Sequence, residues 1–573
     1  MFIRPIYRRK GGKRHAYWAL VESYRTPRGP RQRTIAYIGQ VEEKKRKGIR
    51  ATAEQRRPSD QLTLFQAEEG AEWVEVDASR VRVENNRSFG CAWLGYEVMR
   101  RLGLDEFFAK HIDCGREEIP WSLMATILIL SRLCKPSSEL HIAEHLYQTT
   151  AMEDLLGVPA AKVNEQRLYR SMDKLLPHKD ALETFLKNRL GELFSLEYDL
   201  LLYDVTSTYF EGEMLRNTKA KRGHSRDSRG DCKQVCIGLV VSRCGMPIGY
   251  EVFPGNRHDS KTVQVIVAKM EERYGKANRI WVMDRGMMSK ENMAFLDDGR
   301  RYIIGTPKAS LRKHEAALLQ GGWTEIRDGL EVKLVHGPEG DETYILCRSR
   351  DRREKELAMH DRFQKRMEEG LEKIKSGCEK SKRDPKRVLE QVGRLKERNS
   401  RAAGLFDIHV DTVEDRAAIS WSKREAWEEW ARLSEGCYML RTNVTDWSAE
   451  ELWQAYIHLT DAEEAFKISK HDMVIRPIYH QKTDRGDAHI FICFLTYVLW
   501  KTLAQLCKAA GLGDEPRRIF EEFKKIEVVD VVLPTREDVE IRKRCVTRPT
   551  EHQGILLQRL KMRLPCHLKM TSV

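Results

Sequence analysis

Hydrophobic and polar positions change rhythm several times along the chain, and each change predicts a different kind of element. "HAYWALVESYR" (15–25), the turn-forming "TPRGP" and "RQRTIAYIG" (31–39) predict a β-hairpin with Arg and Lys on its outer face. A polar stretch, "KKRKGIRATAEQRRPSDQ", reads as a linker. From about 90 to 198, apolar residues recur at three- and four-residue spacing in "AWLGYEVMRRLGLDEFF", "SLMATILILSRLC" and "ALETFLKNRLGELF", the mark of an all-α region. Then "LLLYDVTSTYF", "KQVCIGLVVS" and "GYEVFPG" predict three strands. A helix N-capped by Asp259 follows, then the strand "RIWVMD", a helix in "SKENMAFLDD" and a strand in "RYIIGTP". This alternation is a mixed α/β layout.

The rhythm breaks over 306–440, where short strands ("LEVKLVHG", "ETYILCRS", "GLFDIHVDT") surround a highly charged helical stretch; this segment reads as an insertion. "GCYMLRTN" (436–443) predicts a returning strand, and "SAEELWQAYIHLTDAEEAFKISKHDM" one long helix. A further apolar helix, "HIFICFLTYVLWKTLAQLC", precedes a basic tail, "EIRKRCVTRP".

At 573 residues the chain is too long for one core, and roughly 100–200 residues per domain predicts three to five. Charged residues make up 32% and hydrophobic ones 41%, which suits a soluble, folded protein. No secretory signal opens the chain, and no window reaches the roughly 18 apolar residues of a bilayer span, so a bacterial-type cytoplasm is expected. The thirteen cysteines are scattered; Cys232 and Cys236 lack the second pair or histidines of a zinc site, and reduced thiols are expected. The net charge is +14, concentrated at the start: residues 1–50 hold 15 Lys and Arg against three acids. Such a patch suits a phosphate backbone, although an anionic membrane surface or a solvated tail has the same composition.

Asp204 sits inside an apolar strand, where an unpaired carboxylate is costly. Asp284 ends the fourth strand of the same unit. Where those two strands are neighbours the acids converge, and a third acid on a crossing helix would complete an oxygen-rich cage for Mg2+. Tyr456, Glu463 and Lys470 lie seven apart and so share one helix face, making Glu463 the best third acid and Glu464 its rival. The plainer readings are a strand-end Asp capping its own turn and a solvated Glu/Lys stripe.

"LLYDVTSTYFEG", "GYEVFPGNRHDSKTV", "WVMDRGMMSKENMAFL", "GCYMLRTN" and "YIHLTDAEEAFKISKHDMVIRPIYH", in this order, resemble the DDE transposases of bacterial insertion sequences, in the insertion-sequence-four superfamily. The superfamily signature is Tyr, two residues, Arg, three residues, Glu, six residues, Lys. Tyr456, Glu463 and Lys470 fit its register, while Leu459 stands at the Arg position, which leaves the arginine contact to phosphate open.

The resemblance runs over nearly the whole chain and implies a multidomain α+β protein of the long-insertion branch. Its ribonuclease H-like core would be split by a largely β insertion and preceded by β-hairpin and all-α DNA-binding regions. The divisions expected are a basic hairpin region and linker (1–87), an all-α DNA-binding domain (88–198), the core's first part (199–305), the insertion (306–435), the core's second part (436–510) and a basic C-terminal region (511–573).

The resemblance further implies a catalytic and metal-binding triad of Asp204, Asp284 and Glu463 holding two Mg2+, with Mn2+ as a substitute, about 4 Å apart. DNA contacts are expected from Tyr456 and Lys470 and from Arg8, Arg9, Lys10, Lys13, Arg14, Arg31 and Arg33. The implied reaction is cutting at the ends of the element and joining of the 3′-hydroxyls to target DNA. A homodimer on paired terminal repeats is expected, with no membrane partner. Trp323, Trp421 and Trp430 in the insertion are candidates for stacking a flipped base, with ordinary packing as the plainer reading. The alternatives are an inactive DNA-binding remnant and a structure-specific nuclease on the same fold.

Overall fold

The structure is a computed structural model; it describes residues 2–10, 13–26, 29–39, 75–113, 115–276, 278–337, 342–413, 416–535 and 539–568, the first three segments almost entirely as backbone. Three strands, β1 (Phe2–Lys10), β2 (Lys13–Thr26) and β3 (Gly29–Gly39), pair antiparallel in the order β1-β2-β3. The expected hairpin is therefore two of three strands. β1 escaped the pattern because "FIRPIYRRK" carries Pro and four cations where alternation would need apolar residues. The polar stretch from Lys44 to Gln61, read as a linker, lies outside the described residues.

β4 (Arg82–Ser88) leads into an all-helical layer: α1 (Gly90–Leu102), α2 (Leu104–Ile112), α3 (Trp121–Cys134), α4 (Glu165–Leu175) and α5 (Lys179–Phe194). α3 is buried over nearly its whole length, and its neighbours are amphipathic around it.

The centre of the molecule is a nine-stranded sheet. β5 (Leu200–Tyr209), β6 (Gln234–Ser242) and β7 (Pro247–Pro254) form an antiparallel meander. α6 (Val263–Tyr274) then returns the chain to β8 (Ile280–Met283), which lies parallel to β5 on its other side. α7 (Lys290–Asp297) leads to β9 (Arg301–Gly305), parallel to β8. Parallel neighbours need such crossover helices, and β-rich segments buried on both faces read as nearly continuous apolar runs.

The next strands extend this sheet. β10 (Thr324–Arg327), β11 (Leu330–His336) and β12 (Thr343–Ser349) join it at one edge through a later strand, β15. Between them stand α8 (Arg350–Lys380), α9 (Pro385–Arg398), the hairpin β13 (Phe406–Val413) and β14 (Arg416–Lys423), and α10 (Glu425–Ser434). β15 (Cys437–Thr442) pairs with both β12 and β9, giving the order β10-β11-β12-β15-β9-β8-β5-β6-β7. The largely β insertion expected here is thus a correction. Its longest element is the 31-residue α8, and α8, α9 and the β13–β14 hairpin close a small core of their own around Met367, Leu371, Val388 and Phe406. The charge density of the expected helical stretch belongs to the outer faces of these helices.

Beyond the sheet come α11 (Ala449–Ile457), α12 (Leu459–His471), α13 (Thr483–Ala509) and α14 (Pro516–Phe523). α13 corrects the expectation that no segment could span a bilayer: it is long and apolar enough, but 83% of its most apolar window is buried inside the protein, packed on α3, α4 and the sheet. Its uniform apolarity is that of a core helix contacted on all sides. The basic tail is also structured. β16 (Glu527–Pro534) pairs with β4 and with β17 (Glu540–Val546), and α15 (Glu551–Arg559) follows. Arg544 of β17 is bound by Asp530 at 2.7 Å and by Asp154, so this tail's cations are partly spent on internal pairs.

A buried carboxylate ties the helical layer to the sheet. Glu183 of α5 is 1% exposed; it pairs with Lys179 at 3.0 Å and with Arg273 of α6, and accepts the Tyr250 amide of β7 at 3.3 Å. Burial pushes its carboxyl up from the ordinary value, and the two cations oppose that. Removing one partner of a buried pair leaves the other uncompensated. Arg273→Met is expected to cost about 3 kcal/mol, the low end for a buried pair because Lys179 remains, measured by chemical denaturation; a change under about 0.5 kcal/mol would show that the pair does not hold the layers together.

Candidate active site

Side chains alternate across a strand, and that alternation aims the two aspartates. On β5, Leu201, Tyr203 and Val205 pack under α6 and α7, while Leu200 and Leu202 face the opposite core, shared with α12 and α13. Asp204 follows Leu202 on that second face. Apart from Asp204 and the terminal Tyr209, every residue of β5 is buried. β8 repeats the pattern: Trp281 and Met283 lie with α6, Ile280 and Val282 on the other side. Asp284 continues the alternation because its backbone is still extended, at φ −74° and ψ 163°. The register pairs Tyr203 with Met283, so Asp204 and Asp284 leave adjacent parallel strands side by side on one face.

α12 packs across that face of β5. Its buried residues Leu459, Ala462, Ala465, Phe466 and Ile468 orient it, and Glu463 projects at the sheet's end, where its charge acts on both aspartates. Burial is the first cause of a large rise in Asp204, to about 7; the Val205 amide at 2.7 Å and the Arg226 charge oppose it, and Asp284 and Glu463 add to it. Glu463 is raised too, by burial and then by Asp284. The three carboxylates therefore lie within reach of one another's charge at one end of the sheet, a repulsion that a divalent cation drawing them together would relieve. Hard oxygen donors of this kind fit Mg2+ or Mn2+.

The rival acid turns away. Glu464 lines a separate groove of about 1300 Å³ between α12, α13 and α14, together with Asp461, Lys467 and Lys501. The single long helix expected over 448–473 is two, α11 and α12, meeting at His458. Tyr456 is thus on a different helix from Glu463 and Lys470. It is nonetheless close: a methyl group at Gly305 would lie 2.6 Å from the Tyr456 hydroxyl and 3.1 Å from the Arg285 amide, so Gly305 makes room for it beside Asp284. Burial, then the Asp284 charge, pushes the Tyr456 phenol up.

Lys470 is held rather than free. Its ammonium is 3.0 Å from Oδ1 of Asp227, an oxygen shared with Arg476. Burial and the Arg226 charge lower Lys470 to about 8, with Asp204 opposing. Arg8, Arg9 and Lys10 lie on β1, Lys13 and Arg14 on β2, and Arg31 and Arg33 on β3; their side chains lie outside what the structure describes. The backbone register pairs Arg9 with Arg14 and Lys10 with Lys13, which gathers four cations at one end of the β1–β2 hairpin.

Sequence reasoning passed over the connection between β5 and β6. "GHSRDSRGD" (223–231) supplies both Arg226 and Asp227 to the site, and its alternating charges within a Gly/Ser loop between two buried strands were the available signal. Asp259 is also a correction: His258 caps the turn, accepting the Ser260 amide, while the Asp259 carboxylate bonds Arg226 at 2.5 Å. Trp323, Trp421 and Trp430 are all partly buried, each with a cation over its ring (Arg348, Lys375 and Arg312), which supports packing for these three.

A second cluster, Glu139, His480 and His489, has metal-ligand spacing but not metal chemistry. The Arg132 guanidinium lies 3.5 Å from Nδ1 of His489, whose Nε2 is 3.1 Å from the Ile475 carbonyl oxygen, so both ring nitrogens are engaged beside a fixed positive charge. Burial would raise Glu139, but the hydrogen bond and charge of His480 outweigh it and bring the carboxyl to about 2. The cluster joins α3 and the short helix at Glu139–His141 to the segment entering α13. All described cysteines are free thiols.

No curated protein matches the chain as a relative. Two family models do. The transposase DDE domain matches residues 196–499, more than half the chain, and the N-terminal domain of IS1634 family transposases matches residues 3–66. DDE transposases are DNA-binding enzymes that cleave and transfer DNA with divalent metal ions, and the nine-stranded mixed sheet flanked by helices is compatible with their ribonuclease H-like domain. With two matches in the expected order, one of them over more than half its length, the chain belongs to the DDE transposases of insertion sequences.

Proposed function

We propose that the protein cuts phosphodiester bonds at the ends of its insertion sequence and joins the freed 3′-hydroxyls to target DNA, with Asp204, Asp284 and Glu463 as metal-binding catalytic residues. The observation that carries this reading is the placement of Asp204 and Asp284 side by side on one face of the β5–β8 pair with Glu463 within reach of their charge; burial first, and then the charges of Asp284 and Glu463, raise Asp204 to about 7. When bound, two Mg2+ ions would activate the attacking water or 3′-hydroxyl and stabilise the departing oxygen. The chain's own residues do the positioning. Tyr456 closes the side of the site next to Asp284, and Lys470 presents a cation at its rim. The cations of the N-terminal strands would track the backbone of the terminal repeats through counterion release. Paired ends would require at least a homodimer, acting on chromosomal DNA in a bacterial cytoplasm.

An inactive DNA-binding remnant is disfavoured by the same placement, because a remnant has no need to keep three acids together. A nuclease without strand transfer would share the site, so product analysis must separate the two.

Incubated with labelled DNA carrying the sequences that flank its gene, the protein is expected to make Mg2+-dependent cuts leaving 3′-hydroxyls at the element's ends, and joined products with target DNA. Glu463→Gln should lower the rate by at least about 10³-fold while leaving end binding within a few-fold. Cuts without joined products would favour the nuclease; binding without cuts would leave the remnant.

The raised Asp204 also predicts the stability of the metal-free protein. A carboxyl raised in the folded state binds more protons folded than unfolded, so on its account stability falls as pH rises from about 4 to about 7. Asp204→Asn is therefore expected to stabilise the metal-free protein at pH 8, by on the order of 1–3 kcal/mol, and to do little at pH 4. In the parent protein Mg2+ should raise Tm at pH 8 and lose that effect as Asp204 takes up its proton; differential scanning calorimetry with Mg2+ or chelator checks both. Equal stability of the two proteins at pH 8 would show that the ionised Asp204 carries no cost in the folded protein.

A further inference from the structure

The signature arginine is missing from α12: Leu459 occupies its position and is buried at 7% exposure, so nothing there can reach DNA. A transesterification at phosphorus needs a donor for the non-bridging oxygens, where negative charge gathers in the transition state. Three cations near the triad fall into two kinds. Lys470 and Arg476 both bind Asp227, which is itself 95% hidden, and are thereby fixed. Arg226 is different.

Its backbone amide donates to Ser207 Oγ at 3.2 Å, which pins it to β5 three residues beyond Asp204. Its guanidinium gives one nitrogen to Asp259 at 2.5 Å and stays 28% exposed. Asp259 in turn lies against Gly286, two residues past Asp284; a methyl there would be 3.5 Å from the Asp259 carboxylate. A planar guanidinium carries five N–H donors in a fixed fork, so one bond to Asp259 orients it and leaves donors for a second, bidentate acceptor.

The loop that carries Arg226 is stiffened. Gln234 Nε2 donates to the carbonyl oxygens of His224 and Gly255, at 3.0 and 2.8 Å. Ser225 Oγ accepts the amides of Asp227 and Arg229. A Cβ at Gly223 would fall 2.2 Å from the Gly255 carbonyl oxygen, so the chain can pass there only as glycine. Such bracing is expected of a side chain whose placement matters.

We propose that Arg226, braced in the β5–β6 loop and oriented by Asp259, binds the scissile phosphate in place of the arginine absent from α12. The proposal rests on the transposase reading and deepens it. Its charge also acts on Asp204, as that of a phosphate-binding cation beside a metal-binding acid would.

The test uses the full-length protein, with Arg226→Ala and Arg226→Lys, on DNA of the element's ends. In Mg2+, Arg226→Ala should lower kcat by roughly 10²–10³-fold with KM within about threefold, and Arg226→Lys should fall between. In chelator, the parent should bind end DNA about tenfold more weakly when the scissile phosphate is replaced by a neutral methylphosphonate, whereas Arg226→Ala should bind the two DNAs equally. A structural role would not erase that discrimination, and Arg226→Lys provides the same readouts if the alanine variant does not fold. A kcat within threefold of the parent, or unchanged discrimination in Arg226→Ala, would overturn the proposal and leave the transposase reading standing. Failure of the parent itself to cut in Mg2+ would instead overturn that reading.

Discussion

The parallel pairing of β5 with β8 is the contact on which the rest of the site depends. One residue of slip would turn Asp284 to the other face of the sheet, into the apolar layer beneath α6 and α7, where an unpaired carboxylate is not tolerated. Register is secured from both sides by large buried residues. Tyr203 hydrogen-bonds Thr262 at 2.7 Å on one face, and Leu200, Leu202 and Val282 are fully buried on the other. The strands are thus held by their apolar neighbours so that two acids can be held against their own repulsion. Stability and chemistry pull in opposite directions at this point, as they often do where a site is preorganised.

Glu463 adds a constraint of another kind. It reaches the aspartates from a helix, so its placement depends on how α12 lies on β5. The break at His458 lets α11 and α12 follow different lines: α11 carries Tyr456 toward Gly305 and Asp284, while α12 lies across β5 and brings Glu463 and Lys470 with it. A continuous helix would have had to satisfy both contacts with one axis.

Much of this was legible in the chain because it is local. The apolar runs of β5, β6 and β8, the alternation that aims Asp204 and Asp284, and the seven-residue spacing that puts Glu463 and Lys470 on one helix all reside in short windows. What was not legible depends on distant partners. β17 reads as a basic tail until β16 and β4 pair with it, and α13 reads as uniformly apolar without saying that α3, α4 and the sheet surround it. The strands of the 306–440 segment were visible, but not their merger with the main sheet through β15, which is decided by hydrogen bonding to β9 and β12. The helix break at His458 was hidden because both halves have good periodicity and no Pro or Gly marks the joint.

The loop between β5 and β6 shows why local charge is a poor guide to role. Arg226 and Asp227 are neighbours of opposite sign and look like a pair that cancels. In the fold they diverge: Asp227 holds Lys470 and Arg476, and Arg226 bonds Asp259. The division has an electrostatic logic. On the proposed reading, a site that accepts both metal cations and a phosphate anion cannot have every nearby cation free, since they would compete with the metal for the carboxylates, nor every one tied up, since nothing would then receive the phosphate. Asp227 holds two cations and offsets one of their charges, keeping both within the field of the site. Arg226, oriented by its pair with Asp259, stays partly exposed and within range of Asp204.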